Sequence, residues 1–332
     1  MIQNISTSPL QKSYDVVVVG GAMLGSSVAW FLSTNTSFKG SILVIEKDPT
    51  YKFSSTAHTN SCIRQQFSTE INVKISQFGA DFIKNFREYM GGDERVPIVP
   101  FQSFGYMYLA DNLEFAETLQ QAQIIQKKSG AGTKYMLADE IKRDYPFYML
   151  DDIIGGNHNL IDEGYFDGNT LFDWWKRSAR ERGAEYITNE AVSMQKNIKG
   201  NSVKTITLKS GEVISVGQVV NASGPRAKLT AQMAGIEIPV EPRKRYTFVF
   251  DAEHTLNCDL PLTIDPTGIH MRSEGTYYLA GCAPDLDLAV DYNDFIEDHF
   301  IWQEKVWPII ANRIPQFESI KLINSWAGHY AF

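Results

Sequence analysis

Two hydrophobic rhythms alternate along the chain. Asp15-Val16-Val17-Val18-Val19 opens an unbroken apolar run, the pattern of a strand buried on both faces. It passes through Gly20-Gly21-Ala22-Met23-Leu24-Gly25 into Ser26-Ser27-Val28-Ala29 with no spare residue, so strand, tight turn and helix follow directly. Ser41 to Glu46 reads as the next strand. Ser54 to Gln66 then loses any hydrophobic period and fills with hydroxyls and amides, a long polar loop suited to wrapping a ligand. Ile75, Phe78, Phe82, Ile83 and Phe86 return near helical spacing and predict a helix from Ile71 to Met90.

Further on, Ser103 to Ala110 reads as a strand, Asn112 to Lys128 as a helix and Ala138 to Asp144 as a short helix. Asp167 is a natural N-cap for a helix from Gly168 to Arg182, with Gly183 as its stop. Short strands are expected at Glu185–Thr188, Val203–Leu208 and Val213–Val216, the last two joined by the turn Lys209-Ser210-Gly211-Glu212. Gln218 to Ala222 reads as a buried strand that ends on small residues, with Pro225 where a helix can begin. Tyr246–Phe250, Gly268–Arg272 and Thr276–Gly281 form an antiparallel pattern, and Tyr292 to Arg313 reads as helical, broken at Pro308.

Parallel units therefore alternate with antiparallel ones. The expected fold class is α/β, a Rossmann-like nucleotide domain with a parallel sheet, interleaved with an antiparallel-sheet α+β substrate domain. The expected division gives 13–90 and 150–235 to the nucleotide domain, and 91–149 and 236–320 to the substrate or cap domain.

The chemistry starts at the first turn. A helix N-terminus exposes N–H groups and the positive end of the helix dipole, which makes it a phosphate site. The dinucleotide pattern asks for glycine at the tight turn, at the closest approach to the pyrophosphate, and at the helix–strand contact. Gly20 and Gly25 fill the first and third places, and Ala22 stands in the second. Glu46 ends the next strand about twenty residues beyond the last glycine, where an acid accepts hydrogen bonds from a ribose diol. Alone it is equally a surface carboxylate at a strand end.

With 332 residues, 43% of them hydrophobic, the chain can build one large or two medium cores. A net charge of −8 disfavours nucleic acid as a partner. No apolar run is long enough to span a bilayer, and residues 1–13 resemble neither a secretory signal nor a mitochondrial presequence. Cys62, Cys258 and Cys282 are scattered without metal-ligand spacing, so a reducing, cytoplasmic setting and no structural metal are expected.

Taken together, Val18 to Ser27, Glu46, the Ser54–Gln66 loop, Gly164-Tyr165-Phe166-Asp167 and Val219-Val220-Asn221-Ala222-Ser223-Gly224-Pro225 resemble the D-amino-acid-oxidase superfamily of FAD-dependent oxidoreductases, in its sarcosine-oxidase and dimethylglycine-dehydrogenase branch. Glu304-Lys305-Val306-Trp307-Pro308, Arg313 to Glu318, and Ser325-Trp326-Ala327-Gly328-His329-Tyr330 resemble a subgroup with many bacterial members and a mitochondrial one implicated in assembly of a respiratory complex.

The resemblance implies FAD rather than NAD, and oxidation of an amine or amino acid by hydride transfer to flavin. It places Gly20, Gly21, Ala22, Met23, Leu24, Gly25, Glu46 and Lys47 at the adenine half. Ser54, Ser55, Thr56, Asn60, Ser61, Ile63 and Arg64 reach toward pyrophosphate and flavin, with Ala191, Val192, Asn221, Ala222, Ser223 and Gly224 also at the cofactor. It implies a small N-methylated or secondary amino-acid substrate and allows a protein electron acceptor. The alternative is a FAD-binding scaffold with little or no amine oxidation.

Two departures stand out. Arg226 occupies a place where relatives often carry tryptophan, and relatives continue past the Trp-Ala-Gly-His-Tyr run with a glycine-rich segment, so the sequence is expected to be C-terminally truncated.

Arg64, His270 and Arg272 are the candidate catalytic residues. Arg64 either holds a carboxylate or polarises flavin, or is an ordinary loop arginine paired with an acid. His270 and Arg272 lie two apart on a strand and share a face, which either lines the cleft or meets solvent. Tyr246 and Tyr278 line a pocket or simply pack, and Arg243-Lys244-Arg245 attracts an acidic ligand or is solvated. Sarcosine-oxidase-like proteins use a lysine near flavin to promote reaction with oxygen. No lysine lies between Gly268 and Asp285 here, which implies slow oxygen reaction and transfer to a carrier.

Overall fold

The computed structural model describes residues 5–332. Its six-stranded sheet has the order Ala191–Lys196, Val203–Leu208, Val213–Asn221, Ser13–Val19, Ile42–Glu46, Glu185–Thr188. The last four strands run parallel, and the first two add an antiparallel meander. Val16 and Val18 pack with Trp30, Phe82 and Trp175 on one face. Val17 and Val19 pack with Ile206, Leu208 and Ile214 on the other. Burial on both sides is why the first strand reads as continuous valine.

A second sheet has eight strands, Ile320–Ala331, Pro242–Ala252, Tyr277–Cys282, His270–Glu274, Leu262–Ile264, Tyr106–Ala110, Gly155–Asn159 and Lys134–Leu137, in that spatial order. All of its neighbours are antiparallel except Leu262–Ile264 with Tyr106–Ala110. Phe248, Phe250, Met271 and Tyr278 turn one face toward Trp302, Val306, Ile310 and Phe317. The alternation of strand side chains leaves Thr247, His270 and Arg272 on the opposite face. A small third sheet pairs Gly164–Phe166 with Cys62–Ile63 and Phe101–Gln102.

Several boundaries differ from the sequence reading. Val213–Val216 and Gln218–Ala222 are one strand, Val213–Asn221. Gly217 within it lies where a Cβ would come 2.6 Å from the Asp15 carbonyl oxygen, so it marks a close approach of chains, not a break. The helix expected from Ile71 to Met90 stops at Lys84, because Asn85 leaves helical geometry (φ −104°, ψ 26°) before a short turn, Phe86–Tyr89. Residues 292–298 are not helical. Helix begins at His299, where the Asp298 side chain accepts from Phe300 N. Upstream of it the Phe295 ring is held between His329 (4.2 Å) and His58 (5.9 Å), which fixes an irregular segment against the polar loop.

Candidate functional site

Gly20 has φ +100°, and a Cβ there would sit 2.4 Å from the Ala222 carbonyl oxygen. At Gly25 a Cβ would sit 1.8 Å from the Gly20 carbonyl oxygen. Both glycines are therefore required by close backbone packing. Ala22 has φ −75° and ψ −154°, a conformation open to any L-residue, which is why the middle glycine is dispensable to the fold. The helix Met23–Thr34 starts with no capping side chain and no acid in its first turn. Past Met23 N, its leading N–H groups and dipole are thus left for an anion.

Gly21 N donates to Glu46 Oε2 at 2.8 Å, and Asp48 N donates to the other carboxylate oxygen at 2.8 Å. Burial nevertheless raises the Glu46 pKa above its ordinary value. Lys47 reaches Glu190 at 3.8 Å on the surface. Leu24 and Val192 are exposed, whereas Ala191 is buried in the core of the parallel sheet.

The polar loop is tied across the molecule. Met23 N donates to Thr56 Oγ1 at 3.4 Å, and Ser55 Oγ donates to the His329 carbonyl at 2.6 Å. Ser54 Oγ accepts from Ala57 N. Ser61, in the left-handed region at φ +47°, accepts from Phe166 N. On the neighbouring turn, the Asn221 amide donates to the Ala227 carbonyl, and Ser223 Oγ bonds Asn221 and Thr230. The side chains of that turn are engaged locally, and Ala222 N donates to the Val19 carbonyl and Ser223 N to Asn221 Oδ1, ahead of Gly224 at φ +56°.

His270 and Arg272 converge on the loop at one residue. Asn60 Nδ2 lies 2.6 Å from His270 Nε2, Arg272 Nη2 donates to Asn60 O at 3.1 Å, and Thr247 Oγ1 donates to Asn60 Oδ1 at 3.4 Å. Burial, with Arg272 and Arg245 nearby, pushes the His270 pKa down to about 4, leaving the ring neutral at pH 7. Arg272 is 2% exposed and is also bound by the Ser273 carbonyl and by Glu274. The shared face expected of these two residues meets the loop rather than solvent.

Arg64 stands apart from them. Its guanidinium lies 4.7 Å from the Phe67 ring centroid and 5.7 Å from that of Tyr108. Beneath the loop, Glu163 is fully buried and accepts from Gln65 N at 2.6 Å and Gln66 Nε2 at 2.9 Å. Burial pushes its pKa up to about 7 against those donors. The sequence reading missed Glu163, Gln66, Phe67 and Tyr108 as neighbours of Arg64. Glu163 comes beside Arg64 through the pairing of Cys62–Ile63 with Gly164–Phe166, and Tyr108 through the eight-stranded sheet.

Each basic residue of the Arg243-Lys244-Arg245 cluster has a carboxylate partner, Glu241, Asp294 and Asp287 respectively. Tyr246 and Tyr278 lie in the core of the antiparallel sheet, which is packing rather than a pocket wall. Arg226 donates to the Tyr292 carbonyl and the Asn293 side chain.

A phosphate-ready helix start beneath two obligatory glycines, facing an antiparallel sheet across a polar loop, is the layout of a flavin-dependent oxidoreductase. The family described as FAD dependent oxidoreductase matches residues 15–332, and the chain belongs to that family, with FAD as its cofactor. It is 32% identical to FAD-dependent oxidoreductase domain-containing protein 1 of Xenopus laevis, over 96% of this chain and 70% of that one. To the Bos taurus protein of the same name it is 31% identical, over 100% and 74% of the two chains. Among solved structures, L-proline dehydrogenase from P. horikoshii superposes with TM-score 0.79 and 26% identity, over 97% of this chain and 82% of that one. No helix among the described residues is long and apolar enough to cross a membrane.

Proposed function

We propose that this oxidoreductase converts the C–N bond of a small secondary or N-methylated α-amino acid to an imine. One observation carries the reading. Arg64 is stacked beside two aromatic rings and makes no ion pair among the described residues, whereas Arg243, Arg245, Arg272 and Arg313 each have a carboxylate. A guanidinium that closes no ion pair, on the loop assigned here to the flavin half, suits the carboxylate of a substrate. The similarity to an L-proline dehydrogenase, named for a secondary amino acid, supports the class.

In this reading the uncapped helix start, Gly20–Gly25 and Glu46 hold the adenosine diphosphate half. The Ser54–Arg64 loop and the Ala222–Gly224 backbone hold the flavin half. Bound FAD supplies a two-electron acceptor for the hydride on the carbon beside the amine nitrogen. The chain's own work is orientation. Arg64 fixes the carboxylate, while neutral His270 and buried Arg272 hold Asn60, and with it the loop, in place. These two are positioning residues in the proposal, and the carboxylate anchor passes to Arg64. The proposed division gives the six-stranded sheet to cofactor binding and the eight-stranded sheet to the substrate side. Because Gly155–Asn159 belongs to the latter, the crossing is best drawn near residue 160 rather than 150.

Anaerobic addition of L-proline, N-methylglycine and N,N-dimethylglycine to the FAD-loaded protein tests the reading. Bleaching of the visible flavin bands by one of them is the expected result. Bands that persist with every amino acid would leave a FAD-containing scaffold as the better reading.

A further inference from the structure

The short ladder Cys62↔Tyr165, Ile63↔Gly164 runs antiparallel. Continued by one residue, it sets Arg64 opposite Glu163. Glu163 is held firmly in that place. The residues on either side have left-handed backbones, Asp162 at φ +56° and Gly164 at φ +141°, and a Cβ on Gly164 would come 2.0 Å from the Gln102 carbonyl oxygen. The Glu163 carbonyl accepts from Gly105 N at 2.9 Å.

Its carboxylate takes the Gln65 backbone N–H and the Gln66 side-chain N–H, one on each oxygen. The side chains of these glutamines also donate to the Ile161 and Tyr106 carbonyls. The chain just after Arg64 is thus fastened at four points, two of them on Glu163. Arg64 Nε is buried without a hydrogen-bond partner, and its guanidinium does not close an ion pair on Glu163. It is turned instead toward Phe67 and Tyr108.

We propose that Glu163 is a positioning residue that sets specificity for carboxylate-bearing substrates: by holding the Gln65–Gln66 turn, it keeps the Arg64 guanidinium in its aromatic clamp and free to receive a carboxylate. This rests on the assignment of Arg64 to the substrate carboxylate made above. Glu163 touches neither substrate nor cofactor and acts through Arg64. Without its two acceptor oxygens, the Gln65–Gln66 turn loses its anchor and Arg64 loses its fixed direction. Binding of a carboxylate then weakens, while the earlier part of the loop, tied down at Ser55 by the His329 carbonyl and at Asn60 by His270 and Arg272, keeps its place at the flavin half.

The test uses the FAD-loaded protein and two readouts, perturbation of the flavin spectrum by propionate and steady-state oxidation of whichever of L-proline or N-methylglycine bleaches the wild type. Glu163→Gln should weaken propionate binding and raise KM about tenfold, the scale of one hydrogen bond to a charged group, with kcat and FAD affinity near wild type. Should that variant fail to fold, Gln66→Met removes one of the two anchored donors at similar volume and should shift the same two quantities in the same direction. A wild type that responds to propionate and variants that respond identically would overturn the role of Glu163 and leave the functional reading standing. A parallel loss of kcat, KM and FAD affinity would also overturn it, since that is collapse of the whole site. A wild type that neither responds to propionate nor is bleached by any amino acid would sink the functional reading, and this proposal with it.

Discussion

Gly25→Ala puts the cofactor turn to a severe test with a single methyl group. The added Cβ would stand 1.8 Å from the Gly20 carbonyl oxygen, 2.8 Å from its carbonyl carbon and 3.3 Å from Val18 Cγ1. Comfortable contact needs roughly 3.5 Å, so the helix Met23–Thr34 has to move away from the turn by more than an ångström. Val18 is fully buried, and close-packed interiors yield little. Overpacking of this kind costs about 1–3 kcal/mol. In the proposed placement of the cofactor the helix start is also the anion site, so much of that cost falls on the holo state, and about 1.4 kcal/mol is tenfold in Kd. FAD affinity should fall about 10- to 100-fold, read by fluorescence titration of the apoprotein and by flavin retained on purification. Ala22→Gly is the control, because the Ala22 backbone is already in an ordinary conformation, and its Kd should stay close to wild type. An unchanged FAD affinity in Gly25→Ala would refute the placement of the cofactor at this turn.

Other outcomes follow from the same geometry. Arg313, 4% exposed, joins Asp265 (2% exposed) to Asp152 and the Met149 carbonyl. Arg313→Leu should therefore cost about 3–5 kcal/mol in denaturant unfolding, since it strands a buried carboxylate, and a loss below 1 kcal/mol would contradict the pairing. Burial raises the Glu163 pKa from 4.5 to about 7. The unfolded chain therefore ionises first, and stability is fully present below pH 4.5 and falls as pH rises through about 7. The full effect is about 3 kcal/mol. Comparing thermal unfolding of wild type and Glu163→Gln on either side of that window should show the decline only in the wild type, and identical pH slopes would argue against it. Finally, Gly268 to Asp285 carries no lysine, and Arg272 on the loop-facing side is consumed by its own partners. The reduced protein should pass electrons to an artificial carrier much faster than to oxygen, and rapid peroxide formation would contradict this.

Legibility of the fold followed burial. Strands covered on both faces, Val16–Val19 and Ile42–Ile45, announce themselves as apolar runs, and the amphipathic Gly168–Glu181 helix carries its Asp167 cap in plain sight. Gly155–Asn159, the strand Gly-Gly-Asn-His-Asn, is buried along its whole length without one large apolar residue, so no hydrophobic pattern marks it. Ile320–Ala331 was hidden for a different reason. Ala327, Gly328 and His329 are buried in succession, with Gly328 backed against His58, and the alternation that signals a strand disappears. The same limit applies to the candidate site. The glycine turn and the polar loop are contiguous motifs, but the placing of Glu163 beside Arg64 depends on a two-residue ladder between segments a hundred positions apart. A resemblance carried by local motifs names the cofactor and leaves such long-range neighbours unread.

The most direct measurement is the rate of anaerobic flavin bleaching by the best amino acid of the panel, compared with the same compound deuterated at the carbon beside nitrogen. Removal of hydride from that carbon requires complete bleaching that slows on deuteration and yields the imine or its hydrolysis product. A stably bound flavin that no amino acid bleaches, or bleaching indifferent to deuteration with no C–N bond oxidised, would contradict the assignment of this chain to amino-acid oxidation.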